Sequence, residues 1–286
     1  MRVGPTKRSL HQLWGMGALL SGMIACATAS AQPAPGGPPP GAPGDAPAAT
    51  PGAAFMAKPL PANAPQPSSD PRNFDGAWIH QTTLEFQIRI DMFGAKPPLN
   101  AAGQKVVDRR QKSMVDRTPF INASTKCFPM GQPWQMDLGM PFQIFQSKDR
   151  LDLVFEEYHG VVEIFLDPLK APTTPSYMGH SIAHWDGDTL VVETTGYKDG
   201  FWLDVNGTPA SKNATLIQRI RKVKTDHWFL EVINTLDDPT YYKHPWSWVR
   251  DYTWRPDMTL FREYDCELQT GRKNGLDPSL VPEPQD

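Results

Sequence analysis

The side chains whose surroundings make them candidates to move protons are histidines, glutamates and a tyrosine in two short stretches, with an arginine in a third. The first is "GHSIAHWDGDTLVVETTGY", residues 179–197, where His180 and His184 stand close to Asp186 and Asp188. On a helix, histidines at this spacing would share one metal ion. The surrounding alternation belongs to a strand, along which the same spacing spans roughly 13 Å, so the two imidazoles cannot hold one zinc. No metal site is expected. A lone imidazole still titrates near neutrality, which makes His180 a candidate general base, with a structural hydrogen bond as its competing role.

The second stretch is "FEEY", residues 155–158. If the strand ran through it, Val154, Glu156 and Tyr158 would share one face, and Leu153, Phe155 and Glu157 the other. One glutamate must then meet apolar surroundings, where desolvation raises its pKa towards a value useful in acid–base chemistry. Its expected cationic partner is Arg219 in "LIQRIRKV", although Arg219 alternates with Gln218 and its interior placement stays open. His180, Glu156, Arg219 and Tyr158 facing one cavity would supply a base, a cation for developing negative charge, and a phenol donor. A structural Glu–Arg pair is the alternative.

Aromatic residues form the third signal. Trp185, Trp248, Tyr252 and Trp254 stand among polar and charged neighbours, and are expected to rim an open cavity for a small apolar or aromatic molecule. No glycine-rich phosphate loop or zinc set occurs, so no cofactor is expected.

The elements that must position these groups are mostly strands. "PFQIFQS" and "LDLVFEEY", "SIAHW" and "TLVVETTGY", "TLIQRIRKV" and "WFLEVINTL", and "SWVRDYTW" and "MTLFREYDCE" are pairs joined by short polar turns. "FDGAWIH" opens the series and "LEFQIRIDMF" adds a second early run. A single helix is predicted from Asn100 as N-cap through "AAGQKVVDRRQKSMVD". Successive hairpins predict an all-β antiparallel meander closing into a lipocalin-like barrel, with a β-sandwich as the alternative, because sheet edges must be hidden.

The ends of the chain differ in kind. Arg2, Lys7 and Arg8 precede an apolar run ending in Ala29-Ser30-Ala31, which reads as a signal peptide over 1–31 cleaved before Gln32. The competing reading is a lipoprotein anchored through Cys26. Residues 32–71, rich in Pro, Ala and Gly, are expected to form a disordered tether; 72–270 is the barrel domain, and 271–286 a flexible tail. No later segment approaches the length of a transmembrane helix. A net charge of −3 with interspersed signs offers no footprint for nucleic acid. The protein is therefore expected in the periplasm or outside the cell, where Cys127 and Cys266 would close a disulfide, with two separate buried thiols as the alternative.

Two resemblances support this frame. Gly76-Ala77-Trp78 resembles the Gly-x-Trp start of lipocalins and other calycin-type barrels. "FDGAW", "CFPMGQPW", "MGHSIAHWDGDTLVVETTGY", the "DDPTYY" and "PW" run and "EYDCE" resemble a family of exported bacterial β-rich proteins across residues 74–267. That likeness implies export in a Gram-negative bacterium and brings no assigned reaction. The chain departs from the family pattern at Gln218-Arg219, where Glu-Arg is usual, and at "LDPLKAP", where a "DGR" turn is common. Two functions follow as expectations: a cofactor-independent lyase, isomerase or hydrolase, or a non-catalytic carrier of a hydrophobic ligand.

Overall fold

The computed structural model describes residues 60–80, 96–118, 120–138, 140–204, 206–258 and 282–284, all within one compact unit, Ala46–Asp286. Among them nine strands close into a barrel. They are β1 (Gly76–His80), β2 (Phe142–Gln146), β3 (Arg150–Phe155), β4 (Val161–Phe165), β5 (His180–Asp186), β6 (Thr189–Thr195), β7 (Thr215–Lys224), β8 (Trp228–Asp237) and β9 (Trp246–Trp254). β1 joins β9 through Trp78 opposite Trp254, which removes the sheet edges. The fold is an all-β, lipocalin-like barrel. "LEFQIRIDMF" and "MTLFREYDCE" lie outside the fully described residues.

Local chemistry explains the elements that match expectation. The turn between β5 and β6 is Gly187-Asp188, with Asp186 opposite Thr189 and Gly187 at φ 57°, a conformation cheapest for glycine. The one α-helix among the described residues, α1 (Ala101–Val115), starts where Asn100 Oδ1 accepts a bond from Gly103 N at 3.0 Å. A Cβ at Gly103 would stand 2.3 Å from the Tyr241 carbonyl oxygen, so glycine lets the helix lie close against that turn.

One junction corrects the simple meander. β4, the run "VVEIF", was not among the expected strands, and it meets β5 in parallel through Ile164–Ser181 and Phe165–Ile182. The crossover 166–179 carries the chain back before β5 begins, as a parallel pair requires.

Inward positions fill the barrel with two apolar clusters. One contains Trp78, Phe142, Ile144, Ile220, Val232 and Tyr252; the other contains Leu216, Leu236, Trp246 and Trp248. Between them, along the inward rows of β7, β8 and β9, stand Gln218, Asn234 and Arg250. Gln218 Nε2 donates to Asn234 Oδ1 at 2.9 Å.

Described parts of the two expected tails pack on the domain, one on the barrel and one on α1. Leu60 lies against the first cluster, Trp254 Nε1 donates to the Pro65 carbonyl at 2.9 Å, and Lys222 Nζ donates to the carbonyls of Ser68, Asp70 and Asn73, each at 2.6 Å. Residues 60–71 thus belong with the domain, because their carbonyls satisfy a lysine. At the other end Glu283 is bound by Arg109 and Arg110, in place of a wholly loose tail.

Candidate functional site

The segment between α1 and β2 ends in a short 3-10 turn, Trp134–Asp137, whose four residues are all buried. Trp134 packs in a third apolar cluster with Phe120, Met130, Leu138, Tyr158 and Trp202. Gln135 Nε2 donates to the Glu157 carbonyl at 2.9 Å, while its Oε1 accepts from Met130 N at 3.0 Å. Met136 enters the first barrel cluster, where its sulfur stands 3.7 Å from Gln218 Nε2. Asp137 then meets β9: Arg250 Nε donates to Oδ2 at 3.1 Å and the Tyr252 hydroxyl donates to Oδ1 at 2.8 Å. This plug ties the barrel interior to the turn after β3.

That turn holds the chemistry. β3 ends at Phe155, and Glu157–His159 form a 3-10 turn, so the strand alternation expected for Glu156 and Tyr158 does not continue. Tyr158 and His159 take φ of 58° and 47°, the left-handed region that non-glycine residues rarely enter. Glu156 is buried and Glu157 half-buried, and neither carboxylate has an ion-pair or hydrogen-bond partner among the described residues. Burial, with a smaller contribution from the charge of Glu156, pushes the Glu157 carboxyl up to about 7. Such a group is present in both protonation states near neutrality.

The other expected residues lie elsewhere. On β5, Ser181 and Ala183 turn inward, so His180 lies on the outer row with Ile182 and His184. Its ring rests against Gly196, where a Cβ would come within 2.4 Å of Cδ2, and both ring nitrogens are buried without a hydrogen-bond partner among the described residues. His180 lines a cavity of about 330 Å³ with Val161, Glu163 and Met178, and Glu156, Tyr158 and Arg219 are not in that lining. Arg219 is exposed and donates to Asp186 at 2.8 Å, which holds the Asp186 carboxyl below its usual range. The alternation of β7 buries Gln218 and leaves Arg219 outside. The expected Glu156–Arg219 partnership and the single cavity for the four groups are corrected accordingly.

The aromatic rim is corrected too. The inward row of β9 fully buries Trp248 and Tyr252 and leaves Trp254 8% exposed, so these rings are core. Trp185 is half-buried, tilted on Phe74 at 5.4 Å with the Arg72 guanidinium 5.5 Å from its centroid.

The sequence reading missed Asp137 and Arg250 and did not single out Glu157. A signal existed for Arg250: the period-2 row Trp246, Trp248, Arg250, Tyr252, Trp254 places an arginine on an aromatic face, which demands a buried anion. No group of three or more potential metal ligands occurs among the described residues. Comparison with protein-family models and with curated proteins gives no match.

Proposed function

We propose that this protein is an exported enzyme that moves protons on a small apolar or aromatic molecule, as a cofactor-independent lyase, isomerase or hydrolase, with Glu157 as its acid–base group. The observation that carries the proposal is the Glu156–Glu157 pair, two adjacent carboxylates with no partner among the described residues, on a turn continued by two left-handed residues. Partial withdrawal of the Glu157 carboxyl from water is unfavourable to its charged form, and each left-handed side chain adds roughly 1–3 kcal/mol of strain. Both costs concentrate at one turn, the pattern of an acid–base site. In this reading burial, with a smaller contribution from the neighbouring Glu156, keeps Glu157 poised, and Tyr158 shapes the apolar side. The proposal retains Glu156 and Tyr158 from the expected set and substitutes Glu157 for His180 and Arg219.

A carrier would use the barrel axis for its ligand. The packing of Trp248 and Tyr252 in that interior favours chemistry at the turn over retention in the barrel. Export is part of the same proposal, supported by the basic and apolar N-terminal pattern, and a disulfide at Cys127, which an oxidising compartment would allow, is proposed with it. Cys266 is its proposed partner and lies outside the described residues. Kinship with the exported bacterial β-rich family is proposed on the motif that forms the β5–β6 hairpin.

The test begins with native mass spectrometry of protein taken from the periplasm, to identify a co-purifying small molecule. Turnover of that molecule and its close analogues is then compared for the parent chain and Glu157→Gln, with an expected loss of about 10²-fold or more. Equal turnover, or release of the molecule unchanged by both chains, would overturn the enzyme reading.

A further inference from the structure

Adjacent arginines on α1 meet a carboxylate from the far end of the chain. Arg110 is only 3% exposed; its guanidinium lies 4.7 Å from the centroid of the Trp202 ring, and Nη1 donates to the Gly207 carbonyl at 3.1 Å. Gly207 takes φ 81°, and a Cβ there would stand 2.8 Å from Cβ and Cδ of Arg110. The arginine is therefore seated in a closely fitted bed. Its Nε donates to both oxygens of Glu283, at 2.9 and 3.1 Å, and Arg109 Nη2 adds a bond of 3.0 Å.

Three contacts from two donors, Arg110 Nε and Arg109 Nη2, converge on one carboxylate and make charge-assisted recognition, and a buried guanidinium needs such an anion to offset its desolvation. Burial indeed lowers the pKa of Arg110. Glu283 stands between Pro282 and Pro284, whose fixed φ pre-sets an extended backbone and lessens the ordering entropy of docking. Beside the carboxylate, a cavity of about 290 Å³ is lined by both arginines, Asp199 and Tyr241. Fitted arginine, stacked ring, extended ligand and adjoining space are the parts of a peptide-acid receptor.

We propose that the Arg109–Arg110 face of α1 is a carboxylate-recognition site for an extended, proline-flanked acidic peptide, occupied in cis by Glu283 and open to the same chemistry supplied in trans. The tethered Glu283 competes at an effective concentration on the order of millimolar, so the parent chain binds such a peptide weakly. Replacing Glu283 by Gln vacates the charge while leaving both arginines.

The experiment titrates full-length parent and Glu283→Gln proteins with an acetylated, amidated Val-Pro-Glu-Pro peptide by calorimetry, with a Val-Pro-Gln-Pro peptide as control. The variant should bind the glutamate peptide at least tenfold more tightly than the parent and ignore the glutamine peptide. Adding Arg109→Gln to the variant should weaken binding at least tenfold with Arg110 still in place. A folded variant that ignores the glutamate peptide, or takes both peptides equally, overturns the proposal. If Glu283→Gln does not fold, Glu283→Asp, which keeps the charge and shortens its reach, replaces it under the same two criteria.

Discussion

Two regions of this barrel carry ionisable residues at similar density and use them oppositely. In the β5–β6 hairpin, His184, Asp186 and Asp188 face water, and Asp186 is satisfied by an exposed arginine. In the plug Trp134–Asp137 and the β3–β4 turn it grips, Asp137 and Glu156 are buried, Glu157 is half-buried, and among the described residues only Asp137 of the three has found a cation. Side-chain type therefore says little about role until exposure and partner are known. A charge in water is cheap to keep, and a withdrawn one must be paired, neutralised or put to use.

The largest expected effect lies in the plug. Asp137→Ala removes the carboxylate that pairs with Arg250 and accepts from the Tyr252 hydroxyl, and should cost about 3–5 kcal/mol in urea unfolding. A loss below about 1 kcal/mol would mean that Arg250 reaches water and that the contrast with the hairpin is overdrawn.

Next comes the turn. Glu157 has its folded pKa raised from 4.5 to about 7, so the unfolded chain releases this proton first as pH rises. The contribution to stability is complete below the lower value and declines between the two, by as much as about 3 kcal/mol, before levelling above the higher. Glu157→Gln should flatten this part of the pH–stability curve and be the more stable chain at pH 8. Thermal melts of both chains across that range test it, and parallel curves would remove Glu157 from its buried role.

Smaller effects belong to the hairpin. Gly187→Ala adds a Cβ that meets nothing within 4 Å, so only the backbone at φ 57° resists it; the expected loss is about 1 kcal/mol by denaturant titration. Asp186→Ala should leave Tm unchanged within error, since its partner Arg219 is exposed and remains solvated. A clear drop in Tm for Asp186→Ala would put the hairpin and the plug in the same class.

Legibility followed the range of the interactions involved. The hairpins of β2–β3, β5–β6 and β7–β8 were readable because alternation and turn residues act over a few positions. The helix start was readable because Asn100 caps its own first turn. β4 was missed, because "VVEIF" is short and its connection to β5 has no hairpin turn. The same lack of a local signal hid the end of β3: nothing in "FEEY" announces that the chain leaves the strand after Phe155 and enters the left-handed region at Tyr158.

The sequence by itself determined the β-rich class, the strand periodicity and the turn at Gly187, all consequences of backbone geometry and side-chain size within a few residues. Only the tertiary structure decided that β4 and β5 run parallel, that Arg219 takes Asp186, and that Asp137 takes Arg250 from 113 positions away in the chain. The partner and solvation of a charge depend on segments remote in sequence, and these fix whether it stays solvated, becomes paired, or is held near its titration point.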